Sequence, residues 1–136
     1  MKLSITILLA IILSSSAIFS QETLKEKLNK DGVKITYEWK PSDKKDADSK
    51  LQLCVVVNNT NEHAVKMAFT VEFYFKGEIH EESLIQKMCL KPGKKIKGKK
   101  YGLCWISDEL TNEEINGPDF KWELGELKME KKDACK

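Results

Sequence analysis

The chain has 136 residues, 23 of them basic and 21 acidic, for a formal charge of +2, and every basic residue is lysine. A balance this near neutrality gives no general steering toward nucleic acid or a membrane surface. Without arginine there is also no planar fork to read bases, phosphates or carboxylates in pairs, so no nucleic-acid partner is expected.

The first element belongs to export. Met1 and Lys2 precede an apolar stretch, Ile5 to Leu13, and a small residue, Ser20, stands where a secretory leader is cut. The stretch is shorter than the roughly 20 residues needed to cross a bilayer, and no cysteine follows it to carry a lipid. Residues 1–20 are read as a signal peptide cleaved near Ser20. Residues 21–136 are read as one exported domain, periplasmic or extracellular, with a charge of +1 once Lys2 has gone. That length suits one core and is too short for two. No membrane span is expected in the mature chain.

Over residues 22–30, Leu24 and Leu28 have the four-residue spacing of a short helical segment, one or two turns that would be marginal alone. Asp31–Gly32 signals a turn. Val33, Ile35, Tyr37 and Trp39 then alternate with Lys34, Thr36, Glu38 and Lys40, a strand with one buried face that Pro41 ends. Pro41 to Lys50 is a solvated loop. Leu51 to Val57 is apolar on nearly both sides, as a central strand is. A polar corner follows, Asn58 to His63, whose Asn58–Asn59–Thr60 is also a glycosylation sequon. Val65, Met67, Phe69, Val71, Phe73 and Phe75 next point one way while Lys66, Ala68, Thr70, Glu72, Tyr74 and Lys76 point the other, a long strand with one buried face. Gly77 permits a turn.

From Ile79 to Leu90 the alternation weakens to Leu84, Gln86, Met88 and Leu90, a strand nearer an edge. "KPGKK", residues 91–95, has the chemistry of a type II turn at the tip of a hairpin. A strand from Ile96 to Ile106 leaves it, with Tyr101, Leu103 and Trp105 on its apolar face. Residues 107–119 form a loop or a single helical turn capped by Ser107 or Thr111. Phe120, Trp122 and Leu124 then alternate until the phase slips to Leu127 and Met129, which places a β-bulge at Gly125–Glu126.

About six to eight strands joined by short connections describe an all-β antiparallel sandwich. The stretch "LCVVVNNTNEHAVKMAFTVEFYFKGE", followed by "CLKPGKKIKG", resembles the Ig-like β-sandwich modules of secreted bacterial proteins, including the FxLYD-type group. In those modules an Asn-rich corner precedes a strand ending in an aromatic-rich run with glycine, and "L-x-P-G" introduces a later strand. The resemblance spans about Leu51 to Lys100 and implies a fold without implying an activity.

Cys54, Cys89, Cys104 and Cys135 are separated by 35, 15 and 31 residues. An even number in an exported chain reads as two disulfides, and the spacing is too wide for the close pairs of a zinc site. Cys54 and Cys104 stand near the separation of the inter-sheet bond of immunoglobulin-type sandwiches. Their strand parity differs from such a bond, because each lies on the face opposite its neighbours, Leu53 and Val55 or Leu103 and Trp105. A pair across neighbouring strands, Cys54–Cys104, is therefore favoured, with Cys89–Cys135 as the second bond and two other connectivities left open. No metal and no cofactor are expected.

Lys91, Lys94, Lys95, Lys97, Lys99 and Lys100 are the densest charge in the chain. They read either as a solvated hairpin that guards a sheet edge or as an anion-binding tip for acidic glycans, lipid head groups or an acidic protein. Asp108, Glu109, Glu113 and Glu114 should sit about one strand length away, making the domain polar end to end. With Asn112 and Asn116 they supply oxygen ligands of the kind calcium takes, but without the order of a calcium loop. His63 and His80 read as surface residues. Trp39, Trp105, Trp122 and Tyr37 fall on apolar faces, whereas Tyr74 falls on a polar face and is a candidate exposed contact. No nucleophile elbow, zinc-protease or phosphate-loop motif occurs, and Glu81 and Glu82 alternate faces. The expected function is thus a non-enzymatic exported module that binds an unknown protein or acidic polymer through the lysine-rich hairpin, as a monomer or weak edge-strand dimer. The alternative is a secreted inhibitor or immunity-type protein that blocks a partner enzyme.

Overall fold

The computed structural model describes residues 24–136, and the segment read as a signal peptide, residues 1–20, lies outside the described residues. The longest alternating run in the sequence becomes the spine of one sheet. Strand β4, Ala64–Phe75, buries Val65, Met67, Phe69, Val71 and Phe73, each at most 4% exposed. β9, Phe120–Lys132, pairs along its whole length on one side. β5, Glu78–Glu82, and β6, Gln86–Leu90, share its other side. The other sheet, the first in chain order, is built on the doubly apolar segment. β3, Leu51–Asn59, lies between β2, Val33–Pro41, on one side and the short β7, Lys95–Lys97, and β8, Cys104–Ile106, on the other. β1, Lys25–Lys30, is the outer strand beyond β2. All pairings are antiparallel.

The inner faces meet in one all-β sandwich-like core. Val33, Ile35, Leu53, Val55 and Val57 of the first sheet pack on Val65, Met67, Phe69, Val71 and Phe73 of the second, with Trp122 closing one flank. Trp39 lies 5.8 Å from Phe73 and Tyr37 meets Trp122 edge-on at 4.8 Å, so aromatic rings bridge the sheets. The outer face of β3 is covered too: Gln52, Cys54 and Val56 are at most 6% exposed, as a central strand requires.

Four expectations need correction. Within the segment read as helical, residues 22–30, Lys25–Lys30 form β1, while residues 22 and 23 lie outside the described residues. Asp31 and Gly32 both have positive φ, 51° and 76°, the two-residue turn that joins strands of matching twist, and it pairs Lys30 with Val33. Pairing along β2 outweighs a helical turn too short to hold itself. Second, the strand expected over Ile79–Leu90 is broken. Ser83 takes both ladder positions of Val71, its N–H donating to the Val71 carbonyl and its hydroxyl accepting from the Val71 N–H, each at 2.8 Å. A side-chain acceptor there releases the backbone, and Leu84, expected on the apolar face, is 86% exposed.

Third, the strand expected over Ile96–Ile106 is interrupted. Lys97 is opposite Val56 and Cys104 opposite Cys54, so residues 98–103 face a single residue, Val55. The excess leaves the sheet as a 3-10 turn, Lys99–Tyr101, and returns through Leu103, which is fully buried while Tyr101 is 44% exposed. Fourth, "KPGKK" does not tip a hairpin. Its turn closes as expected, with the Lys94 N–H donating to the Lys91 carbonyl at 3.0 Å and Gly93 at φ 68°. The flanking strands, however, belong to different sheets, so the turn is the corner where the chain crosses the sandwich.

Other expectations hold. The bulge falls where the phase slips, with Glu126 at φ 48° and the β4–β9 register shifting between Ala68 and Thr70. The helical turn is α1, Asn112–Asn116, with Thr111 and Glu114 forming a reciprocal capping box. Both disulfides are those favoured: Cys54–Cys104, directly opposed on β3 and β8 with Cα atoms 4.2 Å apart, and Cys89–Cys135.

Candidate functional site

The chain between β5 and β8 folds back on itself along one flank of the sandwich, one edge in each sheet. Glu81 of β5 reaches Ser107 and Asp108 just past β8: its carboxylate accepts from the Ser107 hydroxyl and, at 2.7 Å, from the Asp108 N–H. Further along, Ser83 and Trp105 line a common cleft of about 360 Å³. Gln86 reaches the turn at Gly102, where its Oε1 is 3.6 Å from the position a Cβ would take. The corner at residues 91–94 closes the far end.

This flank is polarised. From Ser83 to Ser107 the sequence has seven lysines and no acidic residue. The end near β5 carries Glu81, Glu82, Asp108 and Glu109 around the cleft. The lysine corner and the acidic end are separated along β3, since Lys95 is opposite Asn58 and Ile106 opposite Gln52. At strand rise that is about 20 Å.

Asn59 fixes the corner. Its side chain is fully buried, and its amide nitrogen lies 3.0–3.1 Å from the carbonyls of His63, Leu90 and Lys91, to which it donates. Its oxygen accepts from the backbone and side chain of Asn61, both at 3.0 Å, and the Asn61 side chain donates on to the Asp31 carbonyl at 2.8 Å. The polar corner in the sequence is therefore a structural hub, and Asn58, of the sequon, lies half-buried in β3 between Lys34 and Lys95.

Lys91, Lys94, Lys95, Lys97, Lys99 and Lys100 are all exposed, and among the described residues none of them makes an ion pair. Lys95 and Lys97 flank buried Ile96 and so face outward from the first sheet. Lys99 and Lys100 ride on the 3-10 turn, with Lys100 Nζ 5.7 Å from the Tyr101 ring. Tyr74 is not brought to them. It pairs with Ile79 and Lys121 at the far end of β4, nine residues or roughly 30 Å from Val65, which pairs with Leu90 beside the corner. Nor is it a free contact, because its hydroxyl donates to Glu72 at 2.8 Å and Lys121 Nζ lies 4.9 Å from its ring. The bond to Glu72, with burial and the charges of Glu72, Glu123 and Glu82, raises the Tyr74 pKa above 10.0.

The residues that could suggest catalysis are engaged structurally. Ser107 is 1% exposed, donates to Glu81 and accepts from the Leu110 N–H at 2.8 Å, which ties the loop after β8 to β5. His80 meets Glu109, at 2.8 Å, rather than a nucleophile. Asn112, an expected oxygen ligand, uses both amide atoms on the backbone of Ser49 and Leu51. Among the described residues no group of three or more His, Cys, Asp or Glu is placed to hold a metal, and no helix is long and apolar enough to cross a membrane.

Sequence reasoning missed the apolar part of this flank. Leu84, Ile85 and Ile79 beside the break in the edge, and Ile106 and Tyr101 across from it, are 42–86% exposed. The available signal was the adjacency of Leu84 and Ile85, which no single alternating face can bury. No protein-family model, no curated protein and no solved structure matches the chain.

Proposed function

We propose that the protein is an exported, non-enzymatic binding module that contacts an anionic partner through the lysine corner between β6 and the 3-10 turn. The observation that carries this reading is the corner itself: six exposed lysines without ion pairs among the described residues, displayed on backbone held by a buried amide. A corner serving only to protect a sheet edge has no need of so rigid a mount. Two disulfides suit an oxidising compartment, which supports export. Ammonium groups on flexible stems select for charge density more than for shape, so the partner is an acidic polymer or the acidic surface of another exported protein.

Binding to immobilised poly-glutamate at low and high salt tests the reading. Retention should fall steeply as salt rises. The Lys94→Gln, Lys95→Gln, Lys97→Gln, Lys99→Gln variant should lose about 2 kcal/mol, roughly thirtyfold in affinity, at about 0.5 kcal/mol per exposed pair. Unchanged, salt-insensitive retention would remove the corner from consideration.

One observation favours the second reading, a protein that blocks a partner enzyme. Leu84 projects almost free of its own domain, and an exposed apolar side chain beside a cleft is the form of an anchor that fills a pocket on another protein. Leu84→Asp should leave poly-glutamate binding intact and abolish inhibition of such an enzyme.

A further inference from the structure

Lysines from three strands meet on the outer face of the second sheet, although nothing in their linear order groups them. The register sets Lys66 of β4 between Cys89 of β6 and Glu130 of β9, and Ala68 between Lys87 and Lys128. Ala68 is too short to fill the space between those long neighbours, and a hollow of about 290 Å³ opens there. Lys66 and Lys87 also line a larger adjoining hollow of about 680 Å³, whose far wall is the tail from Lys132 to Lys136. Beyond Lys132, the end of β9, one covalent link holds that wall. Cys135 is bonded to Cys89, and among the described residues no hydrogen bond involves residues 133–136.

The charges are unbalanced. Glu130, directly opposite Lys66, turns instead to Lys132 at 3.1 Å, and Asp133 is the one acidic side chain lining the larger hollow. Lys66 and Lys87 make no ion pair among the described residues. They are diagonal neighbours on adjacent strands, about 7–8 Å apart along the backbone, where like charges repel. An anion seated between them relieves that repulsion, and compact ammonium groups suit a tetrahedral anion better than a planar one.

We propose that this hollow is an anion site separate from the lysine corner. Its ligand carries phosphate groups with two or more negative charges, free or as a lipid head group, and the Cys89–Cys135 bond serves to position its wall. The corner lysines Lys95 and Lys97 face outward from the opposite sheet, so the two surfaces are independent.

Calorimetry with inorganic tripolyphosphate, and flotation with phosphatidylcholine vesicles with and without phosphatidic acid, test it. Lys66→Gln with Lys87→Gln should weaken binding about tenfold in whichever arm is positive, at about 0.7 kcal/mol per lysine, while the corner variant should bind as well as the parent. Cys89→Ser with Cys135→Ser should also weaken binding, because the wall is released. Amide NMR of the unmodified protein provides a readout that needs no variant: titration should shift Ala68 and Lys87 ahead of Lys97. Absence of binding in both arms overturns the proposal, as does loss of binding in the corner variant alone. Full affinity in the serine pair overturns the role given to the tail.

Discussion

Asn59 does with one amide what a turn does with several backbone bonds. It serves three carbonyls from two connections and receives the Asn61 backbone and side chain in return. Removing it strands buried carbonyls, which costs more than the lost bonds themselves. Asn59→Ala should therefore destabilise the domain by about 2–4 kcal/mol in urea unfolding. Asn59→Asp, nearly identical in shape, should be worse, because a carboxylate would face the Leu90 and Lys91 carbonyls with no proton to offer. An aspartate variant as stable as the parent would mean that the amide is not the hub. The sequence announced a corner at Asn58–His63, but two of the carbonyls that Asn59 holds, those of Leu90 and Lys91, lie 31 and 32 residues away, so its task could not be read from the corner alone.

Among the elements, β4 carries the most consequence, since every strand of its sheet is paired to it. Phe73 is 4% exposed and packs against Trp39 and Phe120, with ring centroids at 5.8 and 5.7 Å. Phe73→Asp combines a large cavity, about 3–5 kcal/mol, with a buried unpaired charge. Against a typical total of roughly 5–15 kcal/mol, the variant should have no native near-UV circular dichroism at 25 °C. A native spectrum would mean that the face of β4 is misassigned. This strand was legible because five buried side chains repeat a period of two without interruption. The edge strands were not, and the reasons are local substitutions of one kind of hydrogen bond for another. The Ser83 hydroxyl replaces a backbone acceptor, and the excursion that contains the 3-10 turn takes up six residues, 98–103, opposite Val55. β1 escaped notice because the bulge between Glu26 and Leu28 breaks its period. That bulge aims Lys27 across the open flank, where its ammonium donates to the Trp122 carbonyl at 2.6 Å and pairs with Glu123 at 3.2 Å. A period-two search sees none of these.

At the scale of the whole molecule, the corner lysines are visible as a run in the linear sequence while the hollow on the outer face is not, because Lys66, Lys87 and Lys132 become neighbours only through strand register. The same distinction separates the two disulfides. They close loops of similar length, with sequence separations of 50 and 46, so restriction of the unfolded chain contributes about equally, roughly 2–4 kcal/mol each. Their surroundings differ. Cys54 is 4% exposed in a central strand, whereas Cys89 is exposed on an edge strand and its partner sits in a tail with no other tether among the described residues. A thiolate must approach a sulfur to exchange with it. Limited dithiothreitol treatment of the folded protein, followed by alkylation and peptide mass mapping, should label Cys89 and Cys135 first. Cys54 and Cys104 should resist until denaturant is added. The half-reduced species should keep its near-UV spectrum, since the released tail contributes no side chain to the buried core. Simultaneous opening of both bonds, or earlier labelling of Cys54, would mean that the sandwich opens at β3 and β8 more readily than its burial allows.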